Sequence, residues 1–167
     1  MSLPSLVLWS GNLADLPNYL EDIYARFMKT FVRAEHTFLG GKVTARWSPS
    51  FDNKHFSFWH VISEQAESGR EEDRTPDFKR CERVEWIGYV LANSNDRTRV
   101  LCWLNERQTS RGADTRYLLY LHEERYIIVL SKRGDGFLLV TAYHVNERRH
   151  AKFLVEHRAS KDPRDYT

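Results

Sequence analysis

The stretch YLLYLHEERYIIVLSKRGDGFLLVTAYHV, residues 117–145, decides how this chain is read. It holds three runs of β-formers, Tyr117 to Leu121, Tyr126 to Leu130 and Phe137 to Val145. The connections between them are too short for anything but a reversal. His122 to Arg125 closes the first two runs into a hairpin. Gly134-Asp135-Gly136 supplies the positive-φ residues that a tight turn needs before the third. Consecutive strands joined in this way pair antiparallel. Val100 to Leu104 is a fourth run of the same kind, so a four-stranded antiparallel meander is expected over 98–145, with no helix between Tyr117 and Val145.

Working outward from the meander, the apolar period changes from two to 3.6 on the N-terminal side of Asn95. Leu20, Ile23, Tyr24, Phe27, Met28 and Phe31 recur at spacings of three and four, which predicts a helix over 16–34 started by Asp15 and Pro17. Thr75-Pro76-Asp77 predicts a second helix start, with Phe78, Cys81, Val84 or Glu85, and Ile87 on its buried edge and an end near residue 91. Gly40-Gly41 breaks the chain, and Lys42 to Trp47 reads as a short strand. His55 to Ile62 is aromatic and fits helix or strand equally. From Asn146 the tail is basic (Arg148, Arg149, Lys152, Arg158, Lys161, Arg164) and reads as frayed. The fold class expected is α+β, a single domain over 1–167. Its helical part, 15–92, packs on the four-stranded meander at 98–145, and the basic tail occupies 146–167.

Composition narrows the function classes. A chain of 167 residues with 41% hydrophobic content can build a core without a metal or disulfide staple. A net charge of +2 argues against a surface basic all over, but leaves room for a local basic patch. Cys81 and Cys102 are too few for a disulfide framework and form no C-x-x-C pair. Residues 1–11 lack the charged start and cleavage site of a signal peptide, and no apolar run is long enough for a membrane span. A cytoplasmic protein with no membrane partner is expected.

The familiar nucleotide and hydrolase motifs are missing. There is no G-x-x-x-x-G-K, no G-x-G-x-x-G and no G-x-S-x-G. His122-Glu123-Glu124 begins like a zincin helix but lacks the second His, so no metal or cofactor is expected. What remains is proton-transfer and anion-binding chemistry. Thr141 and Tyr143 project from one face of a strand, about 7 Å apart, where two hydroxyls can bind a phosphate; both are also ordinary strand formers. His60 offers an imidazole suited to acid–base work near neutrality, although its aromatic surroundings fit a packed core histidine as well. Arg80 and Arg83 lie one turn apart and can face the same anion, or simply pair with Glu82 and Glu85 on a solvated face.

Three segments in this order, Phe58-Trp59-His60-Val61-Ile62-Ser63-Glu64, then Arg74 to Trp86, then Leu139-Val140-Thr141-Ala142-Tyr143, carry a resemblance. The region from about His55 to Val145 resembles the phage- and prophage-associated nuclease-like proteins. These belong to the superfamily that groups barnase, EndoU, colicin-type tRNase and RelE folds. The chain departs from that pattern at Gly88-Tyr89, where a basic residue and a proline are expected. The resemblance implies N-terminal helices followed by a four-stranded antiparallel sheet. It also implies a site of a His, an Arg and a Thr-x-Tyr pair, here His60, Arg80 or Arg83, Thr141 and Tyr143. The activity implied is a metal-independent, toxin-like endoribonuclease in which the ribose 2′-hydroxyl attacks the adjacent phosphorus. RNA is then the substrate, and a neutralising immunity or antitoxin protein is a possible partner. The alternatives are an inactive RNA- or protein-binding module, or a phage accessory protein, on the same fold.

Overall fold

A computed structural model describes residues 1–166 and shows an α+β architecture. Helix α1 (Leu16–Phe27) buries Tyr19, Ile23 and Phe27, and a wider π turn at Met28–Val32 adds Phe31 to the same face. Its start differs from expectation. Asp15 makes no cap; its carboxylate accepts the Ser10 hydroxyl at 2.9 Å, while Asn12 caps a preceding 3-10 turn by accepting from the Ala14 amide. The ambiguous aromatic stretch is helix α2 (Phe56–Ile62). The helix expected over 76–91 is two helices, α3 (Phe78–Glu82) and α4 (Trp86–Ala92). Thr75 and Pro76 do not start it, because Pro76 is in a β-bridge with Ser63, and Asp77 becomes the cap, accepting from the Arg80 amide. The break has a packing reason. Helix α3 buries only Cys81, whereas every residue from Trp86 to Leu91 in α4 is buried, which one continuous amphipathic register does not allow.

The meander is present but it is not the whole sheet. Strands β3 (Val100–Thr109), β4 (Gly112–Leu121), β5 (Tyr126–Arg133) and β6 (Gly136–His144) pair antiparallel in sequence order, with a 3-10 turn at His122–Glu124 joining β4 to β5. Two short strands, β1 (Thr37–Phe38) and β2 (Gly41–Thr44), extend it to six in the order β1-β2-β6-β5-β4-β3. Strand β2 lies parallel to β6, with Val43 opposite Phe137, which corrects the expectation of a four-stranded, wholly antiparallel sheet. Glycines permit this approach. A Cβ on Gly41 would sit 2.5 Å from the Asp135 carbonyl, and one on Gly136 would sit 2.8 Å from that of Lys42.

Both faces of the sheet are covered, unequally. Leu119, Leu121, Tyr126, Ile128, Leu130, Phe137, Leu139 and Ala142 face α1 to α4 in the larger core. The opposite, outer face carries Trp103, Leu118, Tyr120, Ile127, Val129 and Val145, and on it lies helix α5 (Glu147–Arg158), where a frayed tail was expected. Asn146 caps α5 by accepting from the Arg149 amide, and Phe153 packs edge-on against Trp103 and Tyr120, both at 5.5 Å. Among the described residues, no helix is long and apolar enough to cross a membrane. Cys81 and Cys102 are free and buried, their thiols pushed up to about 12 by burial.

Candidate functional site

Strand β6 would have an open edge beyond Leu138, where β2 ends. Helix α2 covers it. The Ser57 hydroxyl reaches the Leu139 carbonyl at 3.5 Å, and the Thr141 hydroxyl donates to the His60 carbonyl at 3.0 Å. The last carbonyls of a helix lack partners within it, and cations near that end are favourable. Arg80 and Arg74 serve here: Arg80 Nη1 donates to Ser63 O at 3.0 Å and Arg74 Nη2 to the same atom at 2.7 Å. Arg80 Nη1 also approaches the Thr141 hydroxyl at 3.4 Å, and its guanidinium lies 5.2 Å from the centre of the Tyr143 ring. Arg80, Thr141, Tyr143 and the backbone of His60 are therefore neighbours.

Arg83 is elsewhere. Its guanidinium lies over Trp86 at 5.2 Å, and its Nη1 donates to the Lys79 carbonyl at 2.8 Å and to Glu82 at 3.3 Å. The cause is the end of α3: Arg83 leaves helical geometry, so it no longer lies one turn along the face that Arg80 occupies.

The His60 imidazole does not point at Thr141. It packs on Phe56, with ring centres 4.0 Å apart, and its Nε2 meets Glu71 Oε2 at 2.8 Å. A carboxylate only accepts, so the neutral ring carries its proton on Nε2 and keeps its basic lone pair on Nδ1. Burial and the Arg74 charge hold the His60 pKa below its ordinary value, against the opposing pull of Glu71.

Two concavities open on the outer face, each about 250 Å³. Thr141 and Tyr143 line one with Arg107, Arg116, Arg149 and Lys152. His60 lines the other with Arg46, Arg133 and Phe56. Arg116 lines both. A β-bulge at Val140, where Leu130 pairs with Leu139 and Val129 with Thr141, shifts the alternation of β6 in this region.

Asp114 sets the arginines. It is nearly buried and accepts from Arg116 Nε at 2.9 Å, from Arg133 Nη1 at 3.4 Å and from the Ser131 hydroxyl. Burial alone would raise its pKa, but the Ser131 and Arg116 hydrogen bonds outweigh that and hold the carboxyl below its usual value. Arg149, from α5, reaches the Tyr143 hydroxyl at 3.5 Å.

The sequence alone assigned no site role to Glu71, Asp114, Arg116 or Arg133, and placed Arg149 only in a basic tail. The β4 residues carried a usable signal, since Asp114, Arg116 and Leu118 alternate onto one face; Glu71 carried none, lying in a charged loop.

No protein-family model, curated protein or solved structure matches this chain. What the arrangement can do chemically rests on its own geometry. Fixed guanidinium groups flank two hydroxyls and one neutral imidazole, a set suited to binding a phosphodiester and moving protons beside it. Among the described residues, no group of three or more His, Cys, Asp or Glu could hold a metal ion.

Proposed function

We propose that this chain is a metal-independent endoribonuclease acting across the basic part of the sheet's outer face. The observation that carries the reading is Arg116, which joins the Thr141/Tyr143 concavity to the His60 concavity and is held in place by Asp114. One phosphodiester over Arg116 has a neutral imidazole on one side and a phenol on the other. His60 Nδ1 takes the 2′-hydroxyl proton as the O2′–P bond forms. The P–O5′ bond breaks and the Tyr143 phenol protonates the departing oxygen, leaving a 2′,3′-cyclic phosphate and a free 5′-hydroxyl. Arg116 and Arg149 hold the phosphoryl oxygens, and Arg80 positions Thr141 and Tyr143. The resemblance to the nuclease-like superfamily supports the same reading, with RNA in the cytoplasm as substrate and a neutralising protein as the partner of an active form.

A second reading has its own observation. Arg80 and Thr141 spend their hydrogen bonds on the end of α2, as a structural lock would. That favours an RNA- or protein-binding module on this fold with no cleavage step. The two readings part in one experiment: folded protein is incubated with total RNA in excess chelator, and the ends of any products are mapped. Discrete fragments with 2′,3′-cyclic phosphates are expected. Intact RNA, bound with salt-dependent affinity, would leave the binding module standing and remove the enzyme.

A further inference from the structure

Beside His60, on the far side of Phe56 from the basic concavity, lies a smaller pocket of about 160 Å³ that neither the sequence motifs nor the mechanism above employs. Its walls are aromatic: Phe51, Phe56 and Trp59. Phe51 is 59% exposed and meets Trp59 edge-on at 5.6 Å. The Trp59 indole N–H is already spent on the Phe51 carbonyl at 2.9 Å, so the ring contributes its apolar surface rather than a donor. The polar lining is Ser50, Glu71, Glu72 and Arg74. The mostly exposed Phe51 ring leaves a face open to a ligand, and carboxylates at an apolar pocket supply acceptors only. Two residues tie the pocket to the proposed site: Phe56 lines both concavities, and Glu71 bonds His60 while lining this one.

We propose that this pocket captures one unstacked nucleobase of single-stranded RNA next to the scissile phosphate. The proposal rests on the RNA reading above and names the element of substrate that reading leaves open. The base stacks on exposed Phe51 and on Phe56, and N–H groups of its Watson–Crick edge donate to Glu72 or Glu71. A paired base cannot enter, since its edge is occupied and its faces are stacked, so the substrate class is a loop, bulge or unpaired strand. Stacking of one base on aromatic side chains corresponds to about tenfold or more in affinity.

The test uses the whole protein and the four ribonucleoside 3′-monophosphates as probes, titrated by tryptophan fluorescence, with inorganic phosphate as the control. Saturable quenching by at least one nucleotide is expected, with inorganic phosphate silent. Phe51→Ala, at a mostly exposed position, should weaken that binding about tenfold. Glu72→Gln should weaken it for bases that offer N–H donors. Equal binding of inorganic phosphate, or unchanged binding in Phe51→Ala, overturns base capture. Nucleotide binding with intact RNA in the cleavage assay sinks the enzyme and leaves the pocket. Cleavage with a KM and base preference untouched by Phe51→Ala sinks the pocket and leaves the enzyme.

Discussion

His60 and Glu71 form a pair whose chemistry depends on which ring nitrogen holds the proton. With Nε2 committed to Glu71, His60→Ala should lower the cleavage rate by about 10²-fold or more, the usual scale of a lost general base. Glu71→Gln should act differently, because an amide can also accept the Nε2 proton but carries no charge. The imidazole pKa then falls further, so the acid limb of the pH–rate profile should move to lower pH while the fold is unchanged. An unmoved limb would show that Glu71 is a bystander. The arginines separate as cleanly. Arg80→Ala should cost about 10²-fold, the scale of misplaced reacting groups, because Thr141 and Tyr143 lose the guanidinium that positions them. Arg83→Ala should leave the rate within a factor of a few, since Arg83 lies over Trp86 and touches neither Thr141 nor Tyr143. Equal losses in both would show that Arg80 does not position Thr141 and Tyr143.

Among the elements, α5 does most to shape the outer face. It covers the apolar rows of β3 to β6 and delivers Arg149 and Lys152 to the margin of the concavity. Phe153 is its one buried residue, between Trp103 and Tyr120. Phe153→Ala should destabilise the protein by about 3–5 kcal/mol, the range for deleting a buried ring, read as a lower denaturant midpoint. RNA affinity should fall with it as α5 loosens. A change under about 1 kcal/mol would show that the helix is held by its cap and surface pairs instead. The same element shows why a basic tail is hard to read. With only one buried residue in twelve, α5 has almost no apolar periodicity, and its helix depends on the sheet face already being in place.

For the molecule as a whole, histidine burial sets the response to acid. His55, His60, His144, His150 and His157 all have pKa values held below the ordinary one, with burial the largest cause in each. The unfolded chain therefore binds more protons than the folded one between those lowered values and about 6.5. Stability should be flat above about pH 7 and fall as the pH drops through 6.5 toward the folded-state values. Urea midpoints at pH 7.5, 6.0 and 5.0 should decrease in that order, and a flat series would contradict the burial argument. Asp114 and Asp162, held low by arginines and hydroxyl or amide donors, lose their contribution only at still lower pH.

The period-two runs and the short connections at 122–125 and 134–136 were enough to announce β4 to β6 and their antiparallel order, because a short reversal between strands leaves no other pairing. Strands β3 and β4 instead run well past the apolar stretches read for them and meet in a hairpin at Thr109 and Gly112. The 3.6-residue spacing likewise specified α1, and strand alternation alone put Thr141 and Tyr143 on one face. Everything that makes a site from these parts was decided at long range. Strand β2 found β6 through a contact of two glycines some 95 residues apart in sequence, and no local signal announces that one backbone will approach another. Helix α2 covered the remaining edge of β6 and so brought His60 to Thr141, but turned the imidazole toward Glu71. The choice of Arg80 over Arg83 followed from where α3 ends, which tertiary burial of α4 dictates rather than helix propensity. Side-chain chemistry and local period are properties of a segment. Convergence is a property of the packed core, since only packing sets the distances between segments far apart in the chain.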